Sequence, residues 1–549
     1  MSSADATIDA APQFAPLSKN YGRYALTLLV MIYTVNFLDR QIINTIGVNI
    51  QAELHLSSAQ IGALGGIFFA ACYTILGIPI ARLADKRNRP WVMAISLAIW
   101  SGFTVLSGTA KNYAVLAFAR AGVSIGEAGC SPTAHSLLAD YFPKEKRATA
   151  LAIYSMGISI GSLLGMALGG IVAERWGWRT AFLVAGLPGL FFAVASIFTL
   201  REPRKALTKD ALRLSNAANH IPMRTVFTVL DKRPTFWLFA LGGAFTAFVS
   251  YAHAQFFLPV FTGNHTPALT IFAEQVKNAT GFSFGPQGIT SLALGLAAGF
   301  GGAFGSWIGG LFADKLGAKD VRNYALFPFL IPILTTPVLW YLFSIDNMGL
   351  AFLLLLLPNV AVAAWWGPVY GGVQSLVPPA MRAMAAAVLL FVINMIGLGY
   401  GPMTFGIVTD MMQNRHLAGT GLTVETCKTA IDAAKASCTA AAALGVKDTV
   451  YLSTAVIPLA MLCFFLTRFT IKQDVEHSQS TPSTLISLPR LSAYFFAGGA
   501  LPGYALARAS KMFFKHPPAH MDLWGLVIGG LIGIAIAVMI AKSHDPKPA

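Results

Sequence analysis

Asp39 and Arg40 sit side by side in the middle of one long apolar run, and Arg120 and Glu127 interrupt another. Asp39 lies 16 residues after Arg23 and 14 before Glu53. Glu127 lies 16 residues after Lys111 and 13 before Asp140. On helices rising about 1.5 Å per residue, both carboxylates fall near the middle of a membrane span. Arg120 is seven residues before Glu127, on the same helical face and about two turns away. A charge at the bilayer centre costs roughly 2.5–3.5 kcal/mol. Four unpaired charges would cost on the order of 10 kcal/mol, comparable to the whole stability of many domains. These side chains must therefore pair, face water, or be partly neutral.

Such groups suit proton and anion handling. A carboxylate in a poorly solvated cavity holds its proton more tightly, and an adjacent arginine opposes that effect. The competition makes Asp39 and Glu127 candidates for proton coupling. Arginine keeps its proton, so Arg40 and Arg120 are fixed positive partners or hooks for an anionic headgroup. Neighbours on one helix point about 100° apart, so Asp39 is expected toward a central cavity and Arg40 toward Glu127. The plainer alternative is an ion-pair brace between the first and fourth helices.

The elements that must position these residues are membrane helices. The chain is 55% hydrophobic and 11% charged, where a soluble protein of this size carries about a quarter charged residues. Runs such as 24–38, 92–110, 181–200, 324–344 and 450–467 approach the length that crosses about 30 Å of hydrocarbon. The net charge of +15 does not imply a nucleic-acid partner, because the bases gather in alternate loops, as the positive-inside rule requires. Residues 1–21 read as a cytoplasmic tail without a cleavable signal. Helices are expected at 22–50, 59–82, 91–109, 112–140, 146–172 and 178–200. A second six follow at 234–262, 284–313, 321–343, 347–377, 381–411 and 447–471. A basic linker, 201–233, joins the sets, with a short amphipathic helix on the inner surface at 221–230. An outer loop, Ala- and Thr-rich and helical in part, spans 413–447. The C-terminal extension, 472–549, has a further candidate span at 522–541 and a shorter, Pro-broken apolar segment at 491–507.

Two segment pairs mark a duplication. Gly310-Leu-Phe-Ala-Asp314-Lys315 repeats Ala81-Arg-Leu-Ala-Asp85-Lys86 at a distance of 229 residues, and Pro379-Ala-Met-Arg382-Ala383 resembles Pro143-Lys-Glu-Lys-Arg147-Ala148. The fold class is thus all-α integral membrane, 6+6 helices in two pseudo-symmetric bundles. Aligning Ser136-Leu137 with Ser375-Leu376 sets Trp366 opposite Glu127. The second half therefore offers Trp366, Tyr370 and Tyr251 where the first offers charge, and His253 is a further titratable candidate. Glycines at 157, 161, 165 and 169, at 301, 305 and 309, and at 397, 399 and 401 read as packing grooves. Cys427 and Cys438 are the only cysteine pair outside the expected spans. They can bridge only if the chain turns between two short helices, because eleven residues of one helix would separate them by about 16 Å. Gly-x-Ser-x-Gly at 122–126 and 157–161 falls inside apolar helices, not on a strand-to-helix elbow. No P-loop and no metal-ligand spacing is present, so neither an enzyme nor a cofactor is expected.

The chain resembles the major facilitator superfamily. The likeness rests on the two charged turns, on Trp176-Gly-Trp178-Arg179-Thr-Ala-Phe182, and on Arg120-Ala-Gly122-Val-Ser-Ile-Gly126-Glu127-Ala128. Asn36-Phe-Leu-Asp39-Arg40, Gly126-Glu127-Ala128 and Asp85-Lys-Arg-Asn88-Arg89 are similar to spinster-like transporters, the sphingolipid and lysolipid branch. The resemblance implies alternating access coupled to protons, with an amphipathic or lipid-like anionic substrate. A symporter of small organic anions is the nearer alternative, and a non-transporting receptor or scaffold the distant one. It implies a substrate and ion-pair surface of Asn36, Arg40, Arg120, Tyr251, His253, Trp366 and Tyr370. It also implies a cytoplasmic gate of Asp85, Arg89, Asp314 and Lys319, in which Asp85 pairs with a base and caps a neighbouring helix. A monomer in a bacterial inner membrane, with lipid, protons and a small anion as partners, completes the expectation.

Overall fold

The computed structural model describes residues 18–203, 223–317, 319–378 and 381–478, with short pieces between 487 and 494. The candidate span at 522–541, most of the segment 491–507 and most of the tail 1–21 lie outside the described residues.

Local sequence sets the helix starts. α1 (Lys19–Glu53) is capped by Ser18. α2 runs as Ser58–Gly65 and Ile67–Lys86, opened by a capping box in which Ser57 and Gln60 satisfy each other's backbone N–H. Asn88 caps α3 (Arg89–Ser107), with Pro90 in the first turn. Asn112 caps α4, which runs as Tyr113–Ala128 and Cys130–Tyr141. The continuous stretch Lys144–Thr199 is broken at Gly177 into α5 and α6. Gly177 has φ 85°, a conformation that costs glycine little and other residues more.

The second half repeats the plan. α7 is Pro234–Asn264. α8 runs through Pro286–Leu296, Ala297–Gly301, Gly302–Phe312 and Ala313–Gly317, with π-helical turns in its second and fourth pieces. α9 is Asn323–Leu342, and α10 runs through Met348–Leu354, Leu356–Ala364 and Trp366–Ser375. α11 covers Arg382–Ile393, Asn394–Tyr400 and Gly401–His416. α12 covers Asp432–Ser453, Thr454–Val456 and Ile457–Glu476. Among the described residues, ten helical stretches are long and apolar enough to cross a membrane by length and composition. Dividing one of them at Gly177 and adding α4, whose charges mask it, gives twelve.

Three segments differ from expectation. The outer loop shrinks, because α11 continues to His416 and α12 begins at Asp432. Residues 433–443 are alanine-rich, and alanine carries a helix past the membrane surface without help from packing. Residues between α7 and α8 form an additional outer helix, Thr266–Thr280. The linker helix, Met223–Asp231, docks on the protein. It buries Met223, Val226, Phe227, Val229 and Leu230 in the core of the second half, and Asp231 is held by Arg490 at 3.3 Å and Tyr494 at 2.7 Å.

Glycine rows seat the helices on each other. A Cβ on Gly161 or Gly165 of α5 would lie 2.4 Å from the carbonyl of Thr34 or 2.5 Å from that of Leu38 on α1. Gly305 and Gly309 of α8 approach the carbonyls of Val360 and Ala364 on α10 equally closely. Between the halves, Gly62 of α2 abuts the carbonyl of Pro402 and Gly406 of α11 that of Ser58. Hydrogen bonds between halves cluster at this end, away from the basic turns, including Asn49 to Gln287 at 3.2 Å and Gln255 to the Ile61 carbonyl at 2.7 Å. The outer end is closed.

Candidate functional site

α1, α3 and α4 bring the charged residues together at mid-depth. Arg40 reaches Glu127 with Nη2 at 2.6 Å and Nε at 3.1 Å, both on Oε2. This is the expected direction for Arg40. Asp39 does not face a cavity. Its carboxylate is fully buried, accepts a hydrogen bond from Thr104 of α3, and lies 3.7 Å from Arg120 Nη1. The reason is physical: a buried carboxylate needs donors, and the face of α1 toward α3 and α4 supplies both. Arg40 is the less buried of the two neighbours, with its side chain 15% exposed.

The four formal charges cancel, yet the pairing is incomplete. Glu127 Oε1, Asp39 Oδ1, Arg120 Nε and Nη1, and Asn36 Nδ2 have no hydrogen-bond partner in the protein. A buried polar atom in that condition costs about 1–3 kcal/mol, so these atoms hold bonding capacity for water, protons or a ligand. Aromatic rings enclose the cations. Arg40 lies 4.8 Å from the Phe69 ring, 4.9 Å from Tyr73 and 5.0 Å from Phe37. Arg120 lies 5.5 Å from the same Phe69 ring. A desolvated cation–π contact is worth about 2 kcal/mol, so Phe69 steadies two cations that would otherwise repel.

The second half meets this cluster with rings. Tyr251 of α7 packs between the cores of both halves. Trp366 and Tyr370 of α10 are half-buried and stack at 5.7 Å, with Trp365 4.1 Å behind Trp366. His253 is not part of this surface. It bonds Ser453 at 2.8 Å and stacks on Phe257 at 4.8 Å, inside the second half. Two residues of helix turn about 200°, which sends His253 away from the face that carries Tyr251.

The expected gate residues separate. Arg89 is fully buried and braces the first half alone. It meets Asp140 at 2.6 Å, bonds Glu202, and donates to the Ser136 carbonyl at 3.0 Å. A buried guanidinium satisfies its donors with near acceptors, and none of these belongs to the other half. Asp314 and Lys319 are exposed, and the Asp85 side chain lies outside the described residues. Cys427 and Cys438 are joined, with Cα atoms 5.6 Å apart across the turn between Val424–Cys427 and α12. Sequence reasoning missed Thr104, Glu202, Glu174 and Asp410. The last two carried a signal: each carboxylate sits toward the C-terminal end of its own helix, where the helix dipole disfavours it.

Twelve spanning helices among the described residues, in two related halves, with charge buried at the middle of one and rings facing it from the other, are the architecture of a membrane transporter. The sequence profile of the Major Facilitator Superfamily matches residues 29–402, and the chain belongs to that family. It is similar to an efflux pump of Mycolicibacterium smegmatis, 29% identical over 388 residues, which cover 71% of this chain and 84% of that one. Sphingosine-1-phosphate transporter SPNS2 of Danio rerio is 24% identical over 391 residues, covering 70% and 75%. A bacterial homologue of the human lysosomal transporter spinster, solved in an inward-facing, unoccupied conformation, superposes with a TM-score of 0.72. It is 29% identical, covering 83% of this chain and 99% of that one. Within the superfamily, the chain is similar to spinster-like transporters.

Proposed function

We propose that this protein moves an amphipathic, lipid-like anion by alternating access, coupled to protons through Asp39 and Glu127. One observation carries the reading: Arg40, the partly exposed cation of the cluster, is held by a single oxygen of Glu127. While Glu127 is ionised, it occupies the guanidinium. A proton on Glu127 weakens that pair and leaves Arg40 free for an anionic headgroup, so proton and anion bind together. Asp39 and Arg120 form the second pair, and Asn36 has spare donor capacity beside them. Trp366, Tyr370 and Tyr251 then offer an apolar wall to the tail. A short dicarboxylate or sugar acid would want bases from both halves, and none is evident at mid-depth in α7, α8, α10 or α11. The relative in Danio rerio named for sphingosine-1-phosphate transport is consistent with this class of substrate.

In the same reading the bundles are 22–200 and 234–471, joined by the linker 201–233, with 472–549 as an appendage. Asp85, Asp314 and Lys319 close the basic end when the outer end opens, in a protein working as a monomer in a bacterial inner membrane. The test is competition on the purified protein. A labelled lysophospholipid should bind, resist an excess of short dicarboxylate, and lose affinity at least tenfold in Arg40→Ala. Displacement by the dicarboxylate, with no lysophospholipid binding of its own, would sink the lipid-like assignment.

A further inference from the structure

Two carboxylates outside the mid-depth cluster tie the halves together at the outer end. Glu174, near the end of α5, accepts from the backbone N–H of Gly285 at 2.9 Å, Gln287 at 3.0 Å and Gly288 at 3.2 Å. These are the first residues of α8. Asp410, toward the end of α11, accepts from the N–H of Ser58 and of Ala59, each at 2.9 Å. These are the first residues of α2. In both cases the carboxylate belongs to one half and the helix start to the other.

The internal repeat makes these one contact, built twice. Pro143 and Pro379 are 236 positions apart, and so are Glu174 and Asp410. Asp85 and Asp314 are 229 positions apart, and so are Ser58 and Gln287, and Ala59 and Gly288. The same carboxylate position meets the same helix start in each direction across the pseudo-symmetric interface.

The first N–H groups of a helix have no partner within it, and they form the positive end of its dipole. A carboxylate satisfies them with charge-assisted bonds. The α8 seat is shaped for one: a Cβ on Gly285 or Gly288 would stand 2.3 or 2.6 Å from a Glu174 oxygen. Around the seats the remaining bonds between halves include neutral ones, Gln287 to Asn49 and to the Thr45 carbonyl.

We propose that Glu174 and Asp410 are paired latches of an outer gate, which hold the outer end closed and must both release before the cavity opens outward. The proposal concerns the conformational equilibrium alone and needs neither proton coupling nor a lipid substrate. Spin labels at Lys111→Cys and Ala418→Cys, exposed outer positions of the two halves, would report it. The free cysteines 72, 130 and 463 are replaced and the Cys427–Cys438 bond is kept. In lipid nanodiscs, pulsed electron resonance should show one dominant short distance. Glu174→Ala and Asp410→Ala should each raise the longer-distance population about threefold, and the double variant about tenfold. Gly288→Ala keeps both carboxylates but crowds one seat, and should match Glu174→Ala. Should an alanine variant fail to fold, Gly288→Ala and Asp410→Asn carry the same comparison. A wild-type distance distribution in the double variant, or in Gly288→Ala together with Asp410→Asn, would overturn the latch assignment.

Discussion

Thr104 has one hydroxyl proton and two acceptors within reach, Asp39 Oδ2 and the carbonyl of Trp100 at 3.0 Å. It can donate to an ionised Asp39, or turn to Trp100 and accept from a protonated one. No backbone movement is needed, so the residue suits a carboxylate that changes its charge during a cycle. Donation to the charged form is the stronger bond, about 1.5–3 kcal/mol. Thr104→Val, which removes that bond, should displace the pH of half-maximal transport by about one unit. Thr104→Ser should restore it, and pH–rate profiles of the two variants check the claim. At this scale the sequence was informative about which residues matter and less about where they point. Depth along a helix follows from counting residues, so Asp39 and Glu127 could be placed. Azimuth depends on donors from other helices, and Thr104 lies 65 positions from Asp39.

Helix packing here depends on backbone contact, which gives sharp expectations. Gly309→Ala would drive a Cβ to 2.1 Å from the Ala364 carbonyl, whereas a Cβ on adjacent Gly310 meets nothing within 4 Å. Overpacking of that kind costs about 1–3 kcal/mol. Gly309→Ala should lower the thermal midpoint by several degrees and Gly310→Ala should leave it unchanged. The outer turn is a second case. Closing eleven residues with the Cys427–Cys438 bond contributes about 3 kcal/mol by restricting the open chain. Replacing both cysteines with serine should speed proteolysis between 417 and 431 at least tenfold, with the transmembrane core unaffected. The twelve spans were legible from apolar run length and Gly, Pro and charge punctuation. The start of α12 was not, because an alanine-rich sequence outside the membrane carries no hydropathy signal. Nor was the docking of Met223–Asp231, since an amphipathic helix has the same pattern whether it faces lipid or protein.

Across the whole molecule, the duplication visible in the two charged turns also governs how the halves meet. The repeat announced the halves, but the contacts at Glu174 and Asp410 were hidden, because each joins residues more than a hundred positions apart. In the proposed cycle, the closed outer end places this structure on one side of the alternation. What drives the cycle is the central claim, and flux in sealed vesicles tests it most directly. Purified protein is reconstituted with a labelled lysophospholipid on one side and an imposed pH gradient. The account predicts flux that scales with the gradient, collapses with a protonophore, and is lost in Asp39→Asn although that variant folds. Flux that ignores the gradient, or persists with wild-type pH dependence in both Asp39→Asn and Glu127→Gln, would contradict it.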